Sequence, residues 1–347
     1  MKTLFLHIGT GKTGSSAIQE HLNSLQSSLV ERKVCYWGLN LEWAPKESMR
    51  SWQRADGIGI LQNMSLDNAK YEISAALDEA LSSLEDEYVA IWSNESIHEH
   101  PDLYVPILQE AQSKHGIALT IVAYARNAAS FLQSAYKQWG IMHKTYPGPA
   151  SGFTEWVNSN RAFLSYGDKL RAWDRSFPDS FKLVNYDFIV DVRKDFLARA
   201  PRCEDLIISA TGARENASPS DAALALHALY NSQFEGEVYP HAIMSILSTN
   251  ANAPSQIPAI SLTKLFPTED EINVAAALFK EDQEVVDSIL ARNGQPLLTE
   301  SDQKQKKVAV YRETEVLAGA LALLISVHVE QQNRIKALED RILSLQA

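Results

Sequence analysis

The chain is short of cysteine, of positive charge and of long apolar runs, and each shortage removes a class of function. Cys35 and Cys203 are its only cysteines. They form neither a CxxC pair nor a zinc-ligand pattern, so two buried free thiols in a reducing compartment are expected. Lys and Arg number 32 against 43 Asp and Glu, a formal net charge of -11. An extended nucleic-acid footprint needs a basic surface and is not expected, although a local basic pocket is compatible with an acidic whole. The uncharged run from Val316 to Val329 is shorter than the ~20 residues of a membrane helix. The apolar opening Met1 to Ile8 is too short for a signal peptide, lacks a small-residue cleavage site and runs straight into a glycine loop. The expectation is a cytoplasmic protein with no transmembrane span and no nucleic-acid partner.

What remains is an ordinary globular composition, 347 residues with 45% hydrophobic and 22% charged, enough for a large core. Apolar runs at Thr3–Ile8, Tyr88–Trp92, Ile117–Tyr124 and Phe181–Tyr186 read as four buried strands. Helical spacing recurs over Ser15–Leu29, Leu66–Leu84, Pro101–His115, Ala128–Gly140 and about Ala162–Phe177. Strands alternating with helices predict a three-layer α/β fold, a mainly parallel sheet with helices on both faces. Ligands in such folds sit at the C-terminal ends of the strands. Residues 38–66 show little periodicity and read as a long active-site loop or short helices. Their neighbourhood holds Tyr36, Trp37, Trp43 and Trp52, which suit either a sugar-stacking cleft or the core of a lid.

From Ser218 onward the chain reads as mostly helical. Residues 1–300 are expected to form the catalytic domain and 301–347 a helical extension. In that extension Leu317, Leu321, Leu324, Ile335, Leu338, Ile342 and Leu345 follow heptad steps, with His328 and Gln331 interrupting the seam. A helix from about Val308 to Leu345 is predicted, packing on its own domain or, favoured by the 3.5-residue step, pairing in a homodimer.

The most informative segment is Gly9-Thr10-Gly11-Lys12-Thr13-Gly14-Ser15-Ser16, set between the first strand and the first helix. Glycines let successive N–H groups turn toward one anion, and the helix N-terminus adds partial positive charge. Lys12 adds a full charge; Thr13, Ser15 and Ser16 add hydroxyls. A Walker A loop would need a glycine five residues before Gly11-Lys12, where Leu6 stands. The second strand also ends without an aspartate, Ile91-Trp92-Ser93-Asn94-Glu95, which speaks against a magnesium-dependent ATP kinase or hydrolase. That reading, and a non-catalytic scaffold with a coiled-coil tail, are the alternatives.

The run His7-Ile8-Gly9-Thr10-Gly11-Lys12-Thr13-Gly14-Ser15-Ser16-Ala17-Ile18-Gln19 resembles the 5′-phosphosulfate loop of bacterial sulfotransferases that use 3′-phosphoadenosine 5′-phosphosulfate (PAPS). Serines stand at 15 and 16 where that family usually has threonines. Arg126, at a strand end, and Ser134, eight residues on, resemble the family's grip on the 3′-phosphate; Ala128 replaces a usual proline. The resemblance spans roughly residues 3–230 and implies transfer of a sulfuryl group from PAPS to a hydroxyl or amine, with a carbohydrate or glycolipid acceptor and no metal. Gly9, Gly11, Lys12, Thr13, Gly14, Ser15, Ser16, Arg126 and Ser134 would bind the donor. Lys12 would also neutralise charge on the departing oxygen. The acceptor must lose a proton; Glu95, in a Ser-x-Glu run like the family's, is the first candidate for the base and His98 the second. His7 reads as a strand residue packed beneath the loop.

Overall fold

The computed structural model describes residues 1–54, 57–206, 221–232, 234–239 and 265–300, together with helical positions between Val316 and Ile342. Five strands, β1 (Thr3–His7), β2 (Val34–Tyr36), β3 (Val89–Ser93), β4 (Ala118–Ala125) and β5 (Phe181–Asn185), form one sheet in the order β2-β3-β1-β4-β5, parallel throughout. The fold is thus α/β, with a parallel sheet between helical layers. One strand was not among the four expected. Val34-Cys35-Tyr36 pairs with Val89, Ala90 and Ile91, and three residues are too few to show a period.

Alternation along the strands assigns the two faces. Phe5, Val34, Tyr36, Val89, Ile91, Val122, Tyr124 and Val184 share a buried cluster with Ile18, Leu22, Val192, Phe196 and Leu197. Those partners come from helices α1 (Ser15–Ser24) and α10 (Val192–Arg199). Full burial of each such side chain contributes about 1.5–3 kcal/mol. On the other face Trp92 meets Tyr104, ring centroids 6.0 Å apart, on α5 (Pro101–His115). There α5 packs against α4 (Leu66–Ser83) and α9 (Gly167–Ser176), and α9 against α13 (Lys280–Arg292).

Two helices expected to be continuous are interrupted. The first is split into α1 and α2 (Gln26–Glu31) at Leu25. Ser24 Oγ donates back to the His21 carbonyl at 2.7 Å, a local bond that competes with the helical ladder. The helix expected from Ala162 to Phe177 is split into α8 (Arg161–Leu164) and α9. Asp282 accepts from the Tyr166 and Gly167 N–H groups at 3.3 and 2.8 Å. A carboxylate from a distant element thus caps α9.

The chain divides into two compact units. The first, Met1–Ala128, Ser165–Asn216 and Phe279–Gln303, contains the sheet. The second comprises Ala129–Leu164, Ala217–Leu278 and Lys304–Ala347. Within it, the helix expected to reach Gly140 ends as α-helix at Ala135 and continues as a π-helix, Tyr136–Met142. At that widened turn Tyr136 packs on Phe153 and Trp156, centroids 5.4 and 5.6 Å away. Lys144 is fully buried and donates to the carbonyls of Tyr146 and Gly236 at 2.6 and 3.0 Å. Much of the predicted 301–347 extension, Leu345 included, lies outside the described residues; the described positions from Val316 to Ile342 are helical. No described helix is long and apolar enough to cross a membrane.

Candidate active site

Strand order makes the end of β1 a place where connections diverge. The chain leaves β1 toward β2 at one edge, whereas β3 leads across β1 to β4 and then β5 at the other. Such a switch point opens a crevice at the C-terminal strand ends. The loop Gly9–Gly14 lies there.

Its backbone is committed to an unusual path. Gly9 has φ 36°, Lys12 φ 67° and Gly14 φ 85°. Gly14 is the N-cap of α1 and makes no side-chain cap bond, and a Cβ there would lie 2.7 Å from Val192 Cγ1. Only glycine meets both conditions. Lys12 accepts a left-handed conformation that costs a non-glycine residue about 1–3 kcal/mol, a cost typical of ligand-gripping loops. The loop's carbonyls and threonines hold the path in place. Thr10 Oγ1 donates to the Tyr124 carbonyl at 2.7 Å, and Thr13 Oγ1 to the Thr10 carbonyl at 2.5 Å. The Thr13 hydroxyl proton, expected to face a ligand, is therefore used inside the loop.

Ser15 behaves differently. Its side chain is 5% exposed, and its Oγ has no hydrogen-bond partner among the described residues. A buried hydroxyl without a partner costs about 1–3 kcal/mol, so it calls for a ligand oxygen or water. A Cβ placed on Gly9 would come within 2.9 Å of that Oγ and 3.1 Å of His7 Nε2. The bare backbone of Gly9 thus packs directly against the Ser15 and His7 side chains, where any Cβ would clash. His7 Nε2 likewise has no partner there, while Nδ1 lies 2.8 Å from Ser93 Oγ. Burial lowers the His7 pKa to about 3, so the ring is neutral at physiological pH. Ser16 is exposed on the first turn of α1.

Two cations and one carboxylate gather around the loop. Burial lowers the Lys12 pKa, the nearby Arg126 lowers it further, and Glu95 opposes both. Arg126 follows β4; its Nη1 donates to the Lys12 carbonyl at 3.3 Å. The guanidinium lies over the Tyr186 ring, 5.5 Å from the centroid, and its Nε stands 3.7 Å from Asp187 Oδ1. Glu95 opens a short 3-10 turn, Glu95–Glu99, after β3. Its Oε2 accepts from Gln19 Nε2 at 2.8 Å, and the same amide reaches the Ser93 carbonyl at 3.2 Å. Gln19, Tyr186 and Asp187 had no site role predicted from the sequence, although Gln19 ends the run that carries the loop and Tyr186 ends the fourth expected strand.

His98 stands apart from the other base candidate. It is buried, its Nδ1 lies 2.5 Å from the Glu95 carbonyl, and its own carbonyl accepts from Trp173 Nε1 at 3.2 Å. Burial lowers its pKa to about 4. This geometry makes His98 a brace under the turn that presents Glu95. Ser134 is half-buried on α6 (Ala128–Ala135), in the part of that helix that belongs to the second unit.

The aromatics after β2 have divided fates. Trp37 and Trp52 are core residues, whereas Trp43 is 46% exposed. Trp43 meets Tyr36 edge-on at 5.2 Å, and Tyr36 lies within electrostatic reach of Glu42 and Glu95. Glu42 accepts from the Leu39 and Asn40 N–H groups at 3.0 and 2.5 Å, which ties this stretch down. No protein-family model, curated protein or solved structure matches the chain.

Proposed function

We propose that the chain is a sulfotransferase that moves a sulfuryl group from PAPS to a hydroxyl or amine acceptor of carbohydrate type. The supporting observation is the buried, unpartnered Ser15 Oγ at the N-terminus of α1, beside a left-handed Lys12 and a left-handed Gly14. A 5′-phosphosulfate supplies oxygens for that hydroxyl and for the loop N–H groups. Lys12 neutralises charge on the bridging oxygen as the S–O bond to 3′-phosphoadenosine 5′-phosphate (PAP) breaks and PAP keeps the electron pair. Arg126 grips the 3′-phosphate. Glu95 takes the acceptor's proton as the new S–O or S–N bond forms. The exposed Trp43 ring, edge-on to Tyr36, suits a sugar face. Cys35 and Cys203 are free thiols, in keeping with a reducing, cytoplasmic setting.

PAP binding tests the donor assignment. PAP without magnesium is expected to stabilise the protein by about 2.7 kcal/mol at a hundredfold excess over Kd, read as a rise in Tm. Arg126→Ala should weaken PAP binding by about 1.5–3 kcal/mol. Stabilisation by magnesium-ATP but not PAP would turn the reading toward an ATP-using enzyme, and no response to either toward a non-catalytic protein.

The C-terminal helix is proposed to pair with a second copy. Leu317, Leu321, Ile335, Leu338 and Ile342 are 46–60% exposed, an apolar stripe that calls for cover. Light scattering on the full chain should give a dimer, and Leu321→Glu with Leu338→Glu a monomer. A monomeric wild type at micromolar concentration removes the dimer.

A further inference from the structure

Asp187 is an anion built into a site that otherwise attracts anions. It follows β5, and Asn185 Oδ1 accepts from its N–H at 3.0 Å. Asn185 is itself tied to the Pro296 carbonyl by its amide at 3.0 Å. Asp187 Oδ2 accepts from the Asn127 N–H at 2.8 Å, and Oδ1 lies 3.7 Å from Arg126 Nε. That Nε is out of contact with water and has no hydrogen-bond partner among the described residues. The carboxylate is therefore anchored to the backbone of the β4–α6 connection, close enough to attract the guanidinium and too far to hydrogen-bond it. Tyr186 supports the guanidinium from below, and the Tyr166 hydroxyl donates to the Arg126 carbonyl at 2.7 Å. Side chain and backbone of Arg126 are thus both held.

We propose that Asp187 is a positioning residue of the nucleotide site: its backbone-anchored carboxylate aligns the Arg126 guanidinium and, by its charge, limits how tightly Arg126 holds a phosphate. The proposal rests on the reading of Arg126 as a phosphate ligand. Alignment and charge make opposite demands, so two substitutions separate them. Asp187→Asn keeps an oxygen for the Asn127 N–H and keeps the shape, but removes a negative charge from the neighbourhood of the bound phosphate. Asp187→Ala removes both the charge and the anchor, and leaves the guanidinium without the carboxylate that aligns it.

The test is calorimetric titration of full-length wild type, Asp187→Asn, Asp187→Ala and Arg126→Ala with PAP at low and high salt. Asp187→Asn should bind PAP roughly threefold to tenfold more tightly at low salt, with the gain shrinking as salt rises, because the removed repulsion is screened. Asp187→Ala should bind less tightly than Asp187→Asn at every salt concentration. A purely structural Asp187 would alter Tm in both variants and leave PAP affinity and its salt dependence where they are in wild type; that result overturns the proposal. If wild type fails to bind PAP, or Arg126→Ala binds it unchanged, the reading of the site fails first and takes this proposal with it.

Discussion

Glu95→Gln is expected to lower turnover by a factor of about 10²–10⁴, the range that removal of a general base produces, while PAP affinity stays within about twofold of wild type. The substitution is close to isosteric. Gln19 Nε2, which now donates to Glu95 Oε2, finds an amide oxygen at the same place, so the turn after β3 and its His98 brace persist. What is lost is the capacity to accept a proton. Lys12 is affected in a calculable direction: Glu95 is the group that favours its protonated form against burial and Arg126, so Lys12 in the variant gives up its proton more readily. At neutral pH a lysine still holds it unless the shift is large. The variant's rate loss should therefore be the same at pH 6.5 and 7.5 if Glu95 is the base, and should grow with pH if its chief service is to Lys12. Measurement of labelled-sulfate transfer from PAPS across a carbohydrate acceptor panel, with PAP affinity determined separately, distinguishes these outcomes. Full activity in Glu95→Gln would remove the residue from the proton path.

The parts of the molecule that were legible in the sequence are those with local causes. Apolar runs such as Thr3–Ile8 and Ile117–Tyr124 announce strands because burial on both faces demands them. Gly9 to Ser16 announces an anion loop because glycine, lysine and hydroxyls serve one purpose there. Asp282 capping α9 was not legible, since its partner lies over 100 residues away in sequence. β2 was not, because three residues carry no pattern. Within the site, Glu95 and Arg126 both come within electrostatic reach of Lys12. The inward bonds of Thr10 and Thr13 and the company of Arg126 with Tyr186 and Asp187 were invisible. They depend on the register of β1, β4 and β5, not on any short motif. His98 shows the same limit: residue type and spacing suggest a base, and only the packing of Trp173 and the Glu95 carbonyl around it assigns a structural task.

The two buried histidines predict acid lability. His7 and His98 have pKa values of about 3 and about 4 in the folded chain, both lowered chiefly by burial from 6.5. In the unfolded chain each titrates near 6.5, so below that pH the unfolded state binds more protons and stability falls with pH. Their contribution is fully present above pH 6.5 and is lost as pH drops through the window toward 4 and then 3. The full loss is about 5 kcal/mol for His7 and about 3 kcal/mol for His98, at 1.36 kcal/mol per pH unit and proton. By pH 4 the two together cost about 6 kcal/mol, a large share of the roughly 5–15 kcal/mol that an ordinary domain holds, so stability should fall steeply between about pH 6 and pH 4. Urea melts at half-unit steps from pH 7 to pH 4.5 measure the slope directly. His98→Gln, which keeps a donor for the Glu95 carbonyl but cannot take up a proton, should reduce that slope by close to one proton's worth below pH 6. His7→Gln should do the same while keeping a polar partner for Ser93. An unchanged slope in both variants would mean that the histidines are protonated in the folded chain, and that water reaches them by a path the packing around Phe196, Tyr124 and Trp173 does not provide.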